Sequence, residues 1–179
     1  KKFYNVFIIP SIGRKSLPKA IESALNTDED AGVVVVFDGI KKFPPEIFAP
    51  PNDRVIYLKK AKAGWASGAR NFGLDYIKQS IDTTFISFLD DDDRVLSKFG
   101  RVIKKTFHYK YDMILHSCRI GKNKIVPKNP KGKGITRGDV TIAMSIKLDK
   151  LKETGGKFVA QPAEDFIFIK SLIKAGWSY

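Results

Sequence analysis

The chain has 179 residues, 43% of them hydrophobic, 12% aromatic and 28% charged, a globular composition long enough for a core of its own. Cys118 is the only cysteine, which excludes an intrachain disulfide and any zinc site built from several cysteines. Lys plus Arg 32 against Asp plus Glu 19 leaves +13, which points to polyanionic partners: nucleic acid, an acidic lipid surface or phosphorylated small molecules.

No apolar run approaches the ~20 residues of a membrane span, and there is no signal-peptide pattern. A cytoplasmic setting is expected, with peripheral contact to an acidic membrane surface as a further expectation. In chain order, residues 3–9 carry a buried strand, centred on Val6 to Ile9 and ended by Pro10. Leu17, Ala20, Ile21, Ala24 and Leu25 follow helical spacing, with Ser16 as the expected N-cap. Val33 to Phe37 is too uniformly apolar to have a wet face, and Arg54 to Lys59 reads as a third strand. Ala66 to Ser80 reads as a helix with Ala69, Phe72, Gly73, Tyr76 and Ile77 on one face. Thr84 to Leu89 is a fourth strand. Strands that are apolar nearly throughout and alternate with helices define an α/β layered fold with a mainly parallel sheet.

The second half is less regular. A basic helix is expected over Val95 to Lys110, a strand over Met113 to Ser117, and a loop over residues 121–134 with Pro127, Pro130 and three glycines. A strand near Val140 to Ser145, a short helix near Leu148 to Thr154 and a helix from Glu164 to Ala175 complete the chain. It starts without a methionine and stops at Trp177-Ser178-Tyr179, so one domain shortened at its C-terminus is expected.

Ligands of open α/β sheets bind beyond the carboxyl ends of the strands. Three polar features occupy such ends: Ser11 to Arg14, Asp38-Gly39, and Asp90 to Asp93. Four adjacent carboxylates repel one another, and a hard divalent cation, Mg²⁺ or Mn²⁺, is a natural reason to keep them together. The alternative is a solvated acidic turn that complements the dipole of the following helix. An EF-hand is excluded, because Arg101 stands where its closing Glu belongs. Asp91 to Val95 also fits the DxDx[T/V] signature of haloacid-dehalogenase-type phosphatases, for which Glu164-Asp165 would have to supply the later acidic pair. Gly64 to Asn71 opens a helix with small residues, a place where backbone and anion can approach closely. His108 and His116 are isolated and read as core or surface residues.

Taken in order, these pieces resemble an inverting family 2 glycosyltransferase with the GT-A fold. Val6 to Ser11 resembles the opening strand of that family, and Val35 to Gly39 its strand ending in Asp-Asp-Gly. Gly68 to Leu74 resembles its Ala-Arg-Asn-x-Gly-Leu helix, and Phe85 to Asp93 its DxD segment. Gly155 to Phe158 and Glu164-Asp165-Phe166 resemble its Gly-Gly-Phe and Glu-Asp motifs. Two positions depart from the pattern: Ile12-Gly13 replace a Tyr-Asn pair, and Phe37 stands where an Asp is common.

The resemblance implies a three-layer α/β/α sandwich over residues 1–179, with a nucleotide-sugar half at about 1–93 and an acceptor half at about 94–179. It implies transfer from a nucleoside-diphosphate sugar, UDP most often, to a glycan or lipid-linked acceptor. Metal, Mn²⁺ or Mg²⁺, is expected on Asp90 and Asp92. The nucleotide is expected against Pro10, Ser11, Arg14, Asp38, Lys62 and Asp91. Asp165 is the expected base, with Glu164, Arg70 and Asn71 positioning donor or acceptor. Arg119 to Arg137 includes Lys122, Lys124, Lys128, Lys131 and Lys133 and no acid until Asp139 follows. It reads as a solvated loop or as a collar for a polyanionic acceptor, nucleic acid with modified bases included. A non-enzymatic nucleic-acid-binding module would explain the charge but not the four aspartates.

Overall fold

The architecture comes from a computed structural model, which describes residues 2–40, 52–107, 109–127 and 135–179. The elements are β1 (Lys2–Ser11), α1 (Leu17–Leu25), β2 (Ala31–Asp38), β3 (Val55–Lys60), α2 (Trp65–Ser80), β4 (Asp82–Phe88), α3 (Phe99–Phe107), β5 (Met113–Leu115), β6 (Cys118–Ile120), β7 (Lys124–Val126), β8 (Met144–Lys147), α4 (Leu148–Thr154) and α5 (Glu164–Lys174). One sheet runs β3-β2-β1-β4-β8-β5, and β6 pairs with β7 as a separate hairpin. The first four strands of that sheet are parallel, while β8 lies antiparallel to β4 and β5.

Strand period places the core on both faces. Val6, Ile8, Val34 and Val36 point to a cluster that also takes Leu74 and Ile77 of α2, Leu151 of α4 and Phe168 of α5. Their alternates Phe7, Ile9, Val33, Val35 and Phe37 meet Leu17, Ala20, Ile21 and Ala24 of α1. That is the expected three-layer arrangement, and it explains why β2 has no wet face. At Gly73 a Cβ would come within 2.9 Å of Ile8 Cγ2 and 3.2 Å of Val36 Cγ2, so glycine lets α2 lie close against β1 and β2.

Several boundaries differ from the sequence reading. β1 continues through Pro10 to Ser11, because β4 ceases to pair with β1 at Ile8–Phe88 and the missing N–H falls where β1 has only β2 beside it. Ser16 holds the N-cap position of α1 in helical geometry (φ −76°, ψ −22°) and caps nothing with its side chain; its carbonyl accepts from Lys19 and Ala20 instead. Residues 95–98 are not helical: Val95 donates to Ser23 Oγ at 3.2 Å, which ties the segment to α1, and α3 begins only at Phe99. Residues 118–126 form the β6–β7 hairpin rather than open loop; residues 128–134 lie outside the described residues, as does His108. The strand expected near Val140 falls at Met144–Lys147, after a turn in which Ala143 donates to Thr141 Oγ1 at 3.2 Å. Trp177 is buried and Ser178 accepts at its carbonyl from the Asp112 and Met113 backbone, which closes the end of the chain against β5.

Candidate active site

Parallel pairing aligns the ends of β1, β2 and β4, so the residues after them share one edge of the sheet. The four aspartates after β4 then part company. Asp91 turns inward and is 2% exposed; its Oδ2 accepts from Ser11 Oγ at 2.6 Å and its Oδ1 from Arg14 Nη1 at 2.6 Å. Ser11 Oγ in turn accepts from the Gly13 backbone at 2.9 Å, so the turn after β1 is locked to the turn after β4. The bond to Asp91, then the charges of Asp91 and Asp92, raise the pKa of Arg14. Asp92 points outward, its side chain 57% exposed, with Arg14 Nη1 at 3.2 Å. Asp93 closes a turn onto the Asp90 carbonyl; partial loss of water around its carboxyl, then the charges of Asp90 and Asp92, raise its pKa.

Asp90 is held from α2. Arg70 Nη2 donates to Asp90 Oδ1 at 2.6 Å, and Arg70 Nη1 donates to Glu164 Oε1 at the start of α5. The guanidinium also lies 5.6 Å from the centre of the Phe158 ring, and its Nε is a buried donor with no partner among the described residues. One side chain therefore joins the acid run, α2 and the late acidic pair, 94 residues apart in sequence from Arg70 to Glu164. Asp165 lies one position on, where its Oδ1 accepts from the Phe166 backbone at 2.7 Å.

Asp90, Asp93, Arg70, Glu164 and Asp165 line a cleft of about 1160 Å³. Leu96 before α3, Val102 of α3, and Ile120 and Ile125 of the hairpin give it an apolar wall, and Lys98 and Arg119 add cations. His116 also lines it, packed at a tilt against Phe99 with ring centres 4.3 Å apart and with Nε2 2.7 Å from Ser145 Oγ. Burial drives the His116 pKa down from 6.5 to about 4, so the ring is neutral near pH 7. Burial likewise raises the Cys118 thiol, which keeps it protonated rather than nucleophilic.

On the other side of Arg70, Asp38 accepts from the Gly64 backbone at 2.9 and 3.1 Å and from Lys60 Nζ at 3.2 Å. Lys60 Nζ also donates to the Lys62 carbonyl, while the Lys62 side chain is exposed. Lys60 packs over the small residues opening α2: a Cβ at Gly64 would come 2.5 Å from its Nζ. Lys60 was not among the expected site residues; its position at the end of β3, beside Asp38 in register, is the signal that marks it. Asn71 does not reach the cleft with a free amide. Its Nδ2 donates to the Phe158 carbonyl and its Oδ1 accepts from the Phe158 N–H, both at 2.8 Å. Pro10 is buried in β1 beside Val36.

Among the described residues no three His, Cys, Asp or Glu side chains converge on one metal position. The donor set nonetheless suits a hard divalent ion: Asp92 exposes its carboxylate, and Asp90 meets Arg70 through Oδ1. Such ions take one or two protein carboxylates and complete their shell with water and substrate phosphate.

A mainly parallel sheet with acids at the end of β4 and a second acidic pair opening a late helix is the layout of the GT-A type of α/β fold. The chain belongs to glycosyl transferase family 2, whose model matches residues 6–174. That match includes residues 91–95 and so sets aside the phosphatase reading of the acid run. Over 137 residues the chain is 30% identical to the GalNAc(5)-diNAcBac-PP-undecaprenol beta-1,3-glucosyltransferase of Campylobacter jejuni, a match covering 73% of this chain and 43% of that enzyme. Among solved structures, S. aureus TarS 1-349 superposes with a TM-score of 0.72 at 15% identity, over 94% of this chain and 55% of TarS 1-349. The same protein in complex with UDP gives a TM-score of 0.72 at 17% identity, over 93% and 54%. The chain thus spans about half the length of the relatives it matches, and at these identities the structural likeness is one of fold. Among the described residues no helix is long and apolar enough to cross a membrane.

Proposed function

We propose that this chain carries the catalytic centre of an inverting glycosyltransferase that uses a nucleoside-diphosphate sugar, a UDP-sugar first, and a lipid-linked saccharide acceptor. The observation that carries the reading is the Arg70 bridge, which sets Asp90 and Glu164 at one cleft with Asp165 beside them. In this reading the donor lies along the carboxyl ends of β1, β2 and β4, and the acceptor enters from the cleft.

Asp165 accepts the proton of the acceptor hydroxyl as that oxygen bonds to the anomeric carbon. The carbon–oxygen bond to the diphosphate breaks on the opposite face, so the configuration inverts. Glu164, oriented by Arg70, positions the sugar or the acceptor. A divalent ion, Mn²⁺ or Mg²⁺, held by Asp92 with Asp90, would supply neutralisation of the diphosphate as it departs. Arg14 bonds both Asp91 and Asp92 and so holds the Asp92 carboxylate in place. The apolar wall and cations of the cleft suit an acceptor that carries both a lipid and phosphate, and the net charge of +13 suits work at an acidic membrane surface.

The test is thermal unfolding with UDP, GDP, ADP, CDP and TDP, each with and without Mn²⁺. Stabilisation by UDP that requires metal supports the reading. Equal unfolding temperatures in all ten conditions overturn it.

A further inference from the structure

Trp65 is 84% exposed, more than any other large hydrophobic side chain among the described residues, and its backbone φ is +61°. A large apolar side chain in water and a left-handed backbone at a residue other than glycine are each unfavourable. Both occur here at one position, and the surrounding contacts enforce it. The neighbouring Gly64 N–H is gripped by both carboxylate oxygens of Asp38, at 2.9 and 3.1 Å. Ala63 lies so close over the turn after β2 that a Cβ at Gly39 would meet its Cβ at 2.8 Å. Segment 63–65 is thereby bolted to the carboxyl end of β2, and the indole stands free there. Strain maintained in this way at a ligand-facing edge is a mark of function.

Among the described residues the same edge otherwise lacks an aromatic face. The turn after β1 offers Ile12, 63% exposed, and Phe37 is wholly buried against Tyr57, ring centres 6.2 Å apart. Every nucleobase has a π-face, and stacking on an exposed ring is the least sequence-demanding way to hold one. We infer that Trp65 is the stacking platform for the base of the donor nucleotide, replacing an aromatic on the turn after β1. The inference rests on the reading that this site takes a nucleoside diphosphate, and it adds the residue that recognises the base.

The two tryptophans differ sharply, since Trp177 is 3% exposed, so ligand-induced change in the red-shifted emission reports Trp65. Fluorescence titration with UDP and Mn²⁺, in parallel with calorimetry, is expected to show quenching with the calorimetric Kd, absent in Trp65→Phe. Trp65→Ala is expected to bind UDP about ten-fold more weakly while Trp65→Phe stays within about three-fold of the wild type. Inorganic pyrophosphate, which has no base, is expected to bind wild type and Trp65→Ala alike. Unchanged UDP affinity in Trp65→Ala, or an equal loss of pyrophosphate affinity, overturns the stacking role while leaving the donor reading intact. Failure of the wild type to bind UDP in calorimetry overturns the donor reading, and this inference with it.

Discussion

Arg70 donates from Nη2 to Oδ1 of Asp90 at 2.6 Å, which fixes the first residue of the acid run to the side of α2. The Arg70 side chain is only 5% exposed and its second η nitrogen is bonded to Glu164. Arg70→Ala therefore leaves two carboxylates facing each other without their cation. Removing one member of a buried ionic group costs about 3–5 kcal/mol, and the partial exposure of Asp90 and Glu164 brings the expectation to about 2–3 kcal/mol. Urea unfolding measures it. In a double-mutant cycle, Arg70→Ala with Glu164→Ala is expected to cost less than the sum of the single losses, since the orphaned charge is removed with its partner.

Neighbouring aspartates are expected to answer differently. Asp91 is buried and accepts from Ser11 and Arg14, so Asp91→Ala strands the buried Ser11 hydroxyl, leaves Arg14 with Asp92 alone, and is expected to lower stability by about 2 kcal/mol. Asp92 is mostly exposed, so Asp92→Ala is expected to change stability by less than about 1 kcal/mol. The same substitution is expected to abolish the metal-dependent part of nucleotide stabilisation. Thermal unfolding with UDP, with and without Mn²⁺, separates the two; a metal response intact in Asp92→Ala would remove Asp92 from the ion site.

Asp165→Asn keeps the shape and the Phe166 N–H bond but cannot take a proton at neutral pH. Donor affinity is expected to stay within about two-fold, while kcat falls about 10²-fold or more. Product formation from a UDP-sugar under saturating donor measures it. Normal turnover in Asp165→Asn would assign the base elsewhere.

His116 makes stability depend on pH. Its imidazole is neutral in the folded protein, with a pKa of about 4 against 6.5 in the unfolded chain. Between these values the unfolded state binds more protons than the native state, so stability falls as pH drops through 6.5 towards 4 and is insensitive to this group above that window. The loss between pH 7.5 and 5 is expected to reach about 2 kcal/mol. Urea unfolding at both pH values, in wild type and His116→Gln, isolates it as the part of the pH dependence that disappears in the variant.

The first half of the fold was legible because β1, β2 and β4 are buried on both faces and α1 on one, so hydrophobic periodicity alone marks them. The acid run was visible because four adjacent aspartates after an apolar strand break its hydrophobic pattern. That much the amino-acid order determines locally. Which aspartate turns inward could not be read locally, since it depends on Ser11 and Arg14, 80 and 77 residues away, reaching Asp91 through the pairing of β1 with β4. The same holds for Asn71, whose amide is occupied by Phe158 of a loop 87 residues later, and for Lys60, which becomes the partner of Asp38 only through strand register. The β6–β7 hairpin was hidden by three-residue strands with no sustained alternation. Composition and periodicity settle what is buried, because burial is set by each residue's own affinity for water. Direction of a polar side chain is set by partners brought from afar, and only the tertiary structure decides that.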